Sequence, residues 1–181
     1  REGRYTLALE SRAYDTESWL RILESWVRRY PIVSVEDPVA EDDVEGMRAF
    51  TSAVGARVQV IGDDYLVTDA DRVRTAAADG ACNAVLLKPN QAGTITETVA
   101  AMRLAKSLGW GTIVSARSGE TEDVAIAHLA VGWDTGQLKV GSFSRSERMA
   151  KWNEALRIES QLGSAARYAG RSALASSSGA R

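Results

Sequence analysis

The sequence is poor in cysteine, proline, histidine and phenylalanine. Its 181 residues include one Cys, three Pro, one His and two Phe. With Cys82 as the single cysteine, no intramolecular disulfide can form, and so few thiols are typical of proteins that fold in a reducing cytosol. We therefore expect a cytoplasmic protein in which Cys82 is a small buried hydrophobe.

The sequence also has no long apolar run and no excess of charge of one sign. No stretch approaches the roughly 20 apolar residues that a membrane span needs, and no segment resembles a signal peptide. The formal net charge is −2, so nothing favours nucleic acid or an anionic membrane as a partner. The chain begins with Arg1 and enters patterned sequence almost at once, from which we expect a piece of a longer protein.

The most informative stretch that is present is AVLLKPNQ, residues 84–91. Four consecutive apolar residues predict a β-strand buried on both faces, as in a parallel sheet. Pro89 cannot donate to a strand ladder, so the strand should end at Lys88. Its ammonium group then lies at the carboxyl end of a core strand, where α/β folds place their chemistry. Taken alone, such a lysine is more often a solvated cap.

The same design recurs along the chain. Short apolar strands are predicted at 32–35, 58–61, 84–88, 112–114 and 137–139, with one further strand at 5–9. Helical patterns alternate with them, at about 17–29, 43–53, 68–78, 94–108, 122–131 and 144–162. The strand ends recur about every 25 residues, which is the length of one strand, one helix and two loops.

This repeat predicts an α/β fold: a partial TIM-type (β/α) barrel of about five βα units over residues 1–170. Right-handed crossovers make the strands parallel and bring their carboxyl ends to one rim. A doubly wound open sheet is the alternative, but no glycine-rich phosphate loop follows any strand. Five strands do not close a barrel of eight, so we expect the others upstream of Arg1 or from another chain. Residues 171–181 are mostly Ala, Ser and Gly and are expected to be disordered.

Two helix starts have the capping-box pattern, Thr94 with Glu97 and Ser144 with Glu147. Arg148, one residue later, either faces the rim or belongs to the start of the last helix, and the sequence leaves both open. His128 lies at helical spacing from apolar neighbours, which predicts a partly buried, satisfied side chain rather than a metal ligand.

The predicted rim combines charges of opposite sign, which are Glu36, Asp63, Asp64, Lys88, Arg117 and Lys139. Oxygen ligands from separate strands suit a hard cation such as Mg²⁺, and crowded carboxylates repel one another without one. A lysine near another cation has its ammonium form disfavoured and can act as a general base at neutral pH. A metal with a lysine base is what removal of a weakly acidic proton beside a carboxylate requires. Ordinary ion pairing at loop ends is the alternative.

Seven segments resemble the enolase (phosphopyruvate hydratase) family in order and spacing. They are SVEDP at 34–38, GDD at 62–64, LKPNQAGT at 87–94, SGETED at 118–123 and GQLK at 136–139, followed by RSER at 145–148 and LRIE at 156–159. The resemblance covers about residues 30–170. It implies the C-terminal barrel portion of a Mg²⁺-dependent lyase that dehydrates 2-phosphoglycerate to phosphoenolpyruvate in glycolysis, and a homo-oligomer in the complete protein.

The resemblance also implies roles for the residues that match. Glu36 and Asp63 are expected to bind Mg²⁺, and Lys88 is expected to take the C2 proton of the substrate. Asp64 is expected beside Lys88, where it sets the electrostatics of the base.

The remaining roles concern the substrate. By resemblance, Lys139 binds the carboxylate region, while Arg117 and Ser118 bind the phosphate and surround a second metal. Ala116 departs from the family, which has histidine at that position. Losing a hydrogen bond to a charged group costs about 1.5–3 kcal/mol. The departure indicates a weakened enzyme or a paralogue for another phosphorylated or phosphonylated acid.

A second departure concerns length. The family's first metal-binding aspartate and its N-terminal domain precede the region matched here, so these residues alone are expected to bind metal poorly and to turn over little. A non-catalytic scaffold is the remaining alternative. The opposed charges on one rim argue against it, because a scaffold has no need of them.

Overall fold

An antiparallel hairpin begins the structure, a computed structural model that describes residues 3–174. Strand β1 (Arg4–Leu7) pairs with β2 (Arg12–Asp15), and a 3₁₀ turn at Ala8–Glu10 joins them. The strand predicted at 5–9 therefore ends earlier, and β2 was not predicted. Ser11 closes the turn in the left-handed conformation, with φ of 52°, a geometry that no Gly or Asn marks in the sequence.

Helices and parallel strands alternate after the hairpin. The helices are α1 (Thr16–Arg29), α2 (Val44–Val54), α3 (Ala70–Asp79), α4 (Pro89–Ala92), α5 (Ile95–Ser107), α6 (Ala125–Gly132) and α7 (Ser146–Leu162). The strands are β3 (Ser34–Glu36), β4 (Gln59–Gly62), β5 (Ala84–Leu87), β6 (Gly111–Ser115) and β7 (Leu138–Lys139). All five predicted βα units are present. The four-residue α4 was not predicted, and it begins at Pro89 because proline is well tolerated in the first helical turn.

The five strands form one parallel sheet in chain order, β3-β4-β5-β6-β7. A doubly wound sheet reverses its order at a switch point, whereas a barrel wall does not. The sheet curls strongly, as is shown by the side-chain amides of Gln59 and Gln137, which exchange two hydrogen bonds of 3.0 Å across its concave face. Gln59 lies on β4 and Gln137 lies just before β7, three strands away. In a flat sheet these strands would be about 14 Å apart, too far for the two side chains to meet in this way. The fold is therefore α/β with a partial TIM-type barrel, as predicted.

Apolar side chains cover both faces of the sheet. The main core lies between the convex face and the helices and includes Val60, Val85, Leu87, Phe50 and Val73. A smaller cluster on the concave face consists of Ile61, Ala84, Leu86 and Ile113. Burial on both faces explains why the strands are continuous apolar runs rather than alternating ones. Cys82 is 4% exposed, as expected, and burial raises the pKa of its thiol.

The capping prediction is right for α5 and wrong for α7. Thr94 accepts a hydrogen bond of 3.1 Å from the backbone amide of Glu97. At α7 the N-cap residue is Arg145, with φ of 72° and no capping side chain. The hydroxyl of Ser144 instead lies 2.9 Å from that of Ser142, a local side-chain contact that competes with capping.

Two other expectations concern single segments. His128 is more exposed than predicted, at 53% of its side chain, and its Nε2 lies 3.0 Å from a carboxylate oxygen of Glu154 on α7. Of the predicted disordered tail, residues 175–181 lie outside the described residues, whereas Gly170–Ala173 forms a 3₁₀ turn. Among residues 3–174, no helix is both long enough and apolar enough to cross a membrane.

Asp43 joins the hairpin to the first two helices. Its carboxylate accepts hydrogen bonds from the hydroxyls of Tyr5 and Thr16, both at 2.7 Å, and from the backbone amide of Gly46 at 2.9 Å. Burial by itself would raise the pKa of Asp43, but these hydrogen bonds together lower it below its ordinary value of 3.8.

Replacing Asp43 with alanine should lower the free energy of unfolding by about 1–2 kcal/mol, the usual cost of a lost helix N-cap. Because the folded-state pKa of Asp43 is depressed, the ionised group stabilises fully above its ordinary pKa, and this contribution is lost as the pH falls through the folded pKa. Urea denaturation should therefore show the difference shrinking in acid. The exposed Asp42→Ala is the control, and a difference independent of pH would contradict the ionic role.

Candidate active site

The carboxyl ends of four strands bring opposed charges together at one rim. Lys88, directly after β5, lies 2.5 Å from Asp63, directly after β4. Lys139, at the end of β7, lies 2.6 and 2.7 Å from the two carboxylate oxygens of Glu36, at the end of β3. The predicted convergence of charges from different βα units is confirmed.

These two ion pairs differ in burial. The side chains of Lys88 and Asp63 are 10% and 8% exposed, whereas those of Lys139 and Glu36 are 41% and 32% exposed. Removing one member of a buried pair leaves an uncompensated charge, while an exposed pair contributes little stability. The buried pair of Lys88 and Asp63 is therefore the more firmly held part of the rim. The exposed pair of Lys139 and Glu36 is the one that can exchange partners with a ligand.

The backbone of Lys88 is held by Thr68, near the end of the loop that leads from β4 into α3. The buried Thr68 hydroxyl accepts a hydrogen bond from the backbone amide of Lys88 at 3.0 Å and donates one to the side-chain carbonyl of Gln91 at 2.8 Å. Thr68 adopts a positive φ of 58°, so α3 begins at Ala70 rather than at Thr68 as predicted. The strand end and the next loop thus position the lysine together.

Three carboxylates lie together beside Lys88. Asp37, Asp63 and Asp64 each offer an oxygen atom within 4.8 Å of the others. Asp37 accepts hydrogen bonds from the backbone amides of Asp63, at 2.9 Å, and Asp64, at 2.8 Å. Burial raises the pKa of Asp37, and these amides act in the opposite direction. Sequence reasoning missed Asp37, although it lies inside the SVEDP segment beside Glu36.

A cation would complete the environment of Asp63. Among residues 3–174, Asp63 Oδ1 is buried and lacks a hydrogen-bond partner. A buried polar atom without a partner carries the full penalty of its desolvation. An all-oxygen donor set suits a hard divalent ion. The residues therefore fit a metal ion. Asp63 is one of the two metal ligands predicted from the sequence, with Glu36, and it is also part of the observed carboxylate cluster with Asp37 and Asp64.

A cavity of about 390 Å³ opens above the rim. Its lining consists of Asp63, Asp64, Lys88, Ala116, Arg117, Ser118, Lys139, Val140, Gly141 and Arg148. Six of the seven predicted site residues therefore share one cavity. Glu36 lines a neighbouring cavity of about 420 Å³ on the concave face, and Lys139 lines both. Arg148, whose place the sequence left open, faces the rim.

Fold and site together define an α/β barrel protein with an acidic cluster and a buried lysine at the strand carboxyl ends. The family model that matches the sequence is that of the enolase C-terminal TIM barrel domain, over residues 1–177. The chain belongs to this family and is a member of the enolase superfamily, whose domains are generally metal-dependent. The resemblance seen in the segments is confirmed, and the match extends beyond residues 30–170 to include the hairpin.

Proposed function

We propose that this chain is the barrel portion of a glycolytic enolase, a Mg²⁺-dependent lyase that dehydrates 2-phosphoglycerate to phosphoenolpyruvate. The observation that carries this proposal is the buried contact of 2.5 Å between Lys88 and Asp63, at the rim of a barrel of this family. It places Lys88 beside an oxygen donor for a cation. A cation bound there would disfavour the ammonium form of Lys88 and leave it able to accept a proton, as removal of a proton next to a carboxylate requires.

In this proposal Lys88 accepts the C2 proton at Nζ. Asp63, with Glu36 or the neighbouring aspartates, would hold the metal ion, which would supply the positive charge that stabilises the charge developing on the substrate carboxylate. Asp64 lies in the same carboxylate cluster and contributes negative charge next to Lys88. Because the carboxylates and Lys88 are fixed by the barrel, they need little rearrangement when substrate binds.

The other wall of the cavity would bind the substrate's anionic groups. Lys139 exchanges its exposed partner Glu36 for the substrate carboxylate. Arg117 is half-buried and offers a planar guanidinium, which matches phosphate geometry. The exposed Ser118 adds a hydroxyl donor.

Conversion of 2-phosphoglycerate by the natural protein that contains this chain tests the proposal. Phosphoenolpyruvate should appear only with Mg²⁺ present, and these residues alone should turn over little. Mg²⁺ uptake without turnover of 2-phosphoglycerate would favour a different substrate. The absence of both site-specific uptake and turnover would favour a non-catalytic scaffold.

The cellular setting belongs to the same proposal. We propose a cytoplasmic homo-oligomer that acts on a small molecule and has no nucleic-acid partner. Light scattering of the natural protein should give a mass of at least two subunits, and a monomer at micromolar concentration would contradict the oligomer.

A second candidate function is the same proton abstraction on another phosphorylated or phosphonylated acid. Ala116 favours it. The residue is 7% exposed and lines the substrate cavity, at the position where the family resemblance leads us to expect histidine. A methyl group in place of an imidazole leaves room for a different substituent and removes a donor to the substrate.

Replacing Ala116 with histidine separates the two candidates. If the substrate is 2-phosphoglycerate, kcat/KM should rise about 10–100-fold, because a hydrogen bond to a charged group is worth about 1.5–3 kcal/mol. Ala116→Leu adds bulk without ring nitrogens and is the control. A fall in activity on 2-phosphoglycerate, with better turnover of another acid by the unaltered protein, would identify the paralogue.

A further inference from the structure

Helix α7 buries two cations on the side that faces the rim. Arg148 and Lys151 are 6% and 0% exposed, and only Ile158 is buried with them on this helix. Residues three positions apart lie on one helix face. A buried cation is costly unless it is paired and hydrogen-bonded, so the contacts of these two side chains show what they hold in place.

Lys151 holds the loop that follows β6. Its Nζ lies 2.7 Å from Oε2 of Glu120 and donates a hydrogen bond to the carbonyl oxygen of Thr121. The other carboxylate oxygen of Glu120 accepts a hydrogen bond of 2.8 Å from the backbone amide of Arg117. Lys151 is thereby connected to Arg117 through a single carboxylate.

Arg148 joins this loop to the next one. Its guanidinium donates to the carbonyl oxygen of Ser118, after β6, and to that of Val140, after β7, both at 2.9 Å. Arg117 and Lys139, the residues just before these two carbonyl groups, are the cations of the proposed substrate site. One side chain thus sets the separation of the two loops that carry them.

We propose that Lys151, acting through Glu120, and Arg148 are positioning residues that place the Arg117–Ser118 loop relative to Lys139 for a substrate with two anionic groups. The identity of that substrate rests on the proposed function. The loop contacts are observed in the structure and do not depend on it. Neither side chain needs to touch the ligand, because both act through backbone groups.

A pair of variants distinguishes positioning from general stabilisation of the helix. Lys151→Met keeps most of the length of the side chain and removes its charge, which leaves Glu120 without its ion-pair partner. The double variant Lys151→Met with Glu120→Gln removes both charges and retains an oxygen that can accept the Arg117 amide. Positioning through Glu120 predicts that the double variant recovers what the single variant loses.

Steady-state kinetics of the natural protein with 2-phosphoglycerate give the first readout. Lys151→Met should raise KM by about tenfold or more, with a smaller change in kcat, and the double variant should return KM to within about threefold of the parent. Arg157→Met is the matched control, since Arg157 lies on the exposed side of α7 and pairs with Glu154 at 2.7 Å. A KM in Lys151→Met equal to that of Arg157→Met would overturn the proposal.

Hydrogen exchange of the Arg117 amide gives a second readout that needs no substrate. Exchange should be about tenfold faster in Lys151→Met and restored in the double variant. If the parent fails to dehydrate 2-phosphoglycerate while exchange follows this pattern, the proposed function fails and the positioning of the loop stands. Unchanged exchange in Lys151→Met overturns the positioning role whatever the activity. Should Lys151→Met not fold, Glu120→Ala removes the acceptor of the same amide and should show the same faster exchange.

Discussion

Replacing Lys88 with alanine is expected to slow exchange of the substrate's C2 hydrogen with solvent by roughly 10²–10⁴-fold, the usual contribution of a positioned general base. The measurement is deuterium incorporation into 2-phosphoglycerate by the natural protein, followed by NMR. Exchange isolates proton removal from the later loss of hydroxide. Retained exchange would assign the base to another residue.

The control for this experiment is Lys88→Arg. Arginine keeps a positive charge beside Asp63 but stays protonated at neutral pH, so it cannot accept the C2 proton. Both variants should lose exchange, while their stabilities differ. Lys88→Ala should lower the free energy of unfolding by about 3–5 kcal/mol, because it leaves the buried charge of Asp63 uncompensated. Lys88→Arg should lose less, which separates loss of the base from loss of the fold.

Replacing Asp63 with asparagine is expected to weaken Mg²⁺ binding by about 100-fold or more, since even residues that only support metal ligands contribute 10–100-fold. Asp63 belongs both to the predicted pair of metal ligands, Glu36 and Asp63, and to the observed carboxylate cluster. Its buried Oδ1 lacks a hydrogen-bond partner among residues 3–174. Isothermal calorimetry with Mg²⁺ alone measures the effect without substrate. An unchanged affinity would exclude a metal site at this rim.

Two further variants decide which carboxylates bind with Asp63. If Glu36 and Asp63 are the metal ligands, as predicted from the sequence, Glu36→Gln should weaken Mg²⁺ binding more than Asp37→Asn does. The opposite order would assign the ion to the cluster in which Asp37 lies with Asp64. The exposed Asp42→Asn should leave Mg²⁺ affinity unchanged and serves as the control.

The alternation of strands and helices was predictable because the apolar runs are short and most of them end at Pro, Gly or charged residues. Strand β5 illustrates this, since four buried residues stop at Lys88 and Pro89. Elements without such a pattern were missed. Strand β2 is mostly exposed and depends on pairing with β1. The N-cap of α7 is Arg145 rather than the predicted Ser144, whose hydroxyl contacts that of Ser142.

Part of the candidate site was predictable for a similar reason. Parallel strands share one carboxyl edge, so residues directly after the strands must lie near one another. The specific pairings were not predictable, because 25 residues separate Asp63 from Lys88 and 103 separate Glu36 from Lys139. The inward direction of Lys151 was also hidden, since a lysine on a helix is usually solvated.

The sequence by itself determined that strands and helices alternate, that the charges follow the strands, and that the chain carries enolase-like segments. Only the tertiary structure decided which charges meet. Glu36 and Lys139 come from the two edge strands of the sheet, and they touch because the sheet curls. The curvature of the sheet depends on side-chain packing over both faces of all five strands. These contacts join residues far apart in the chain, so no short stretch of sequence predicts the curvature.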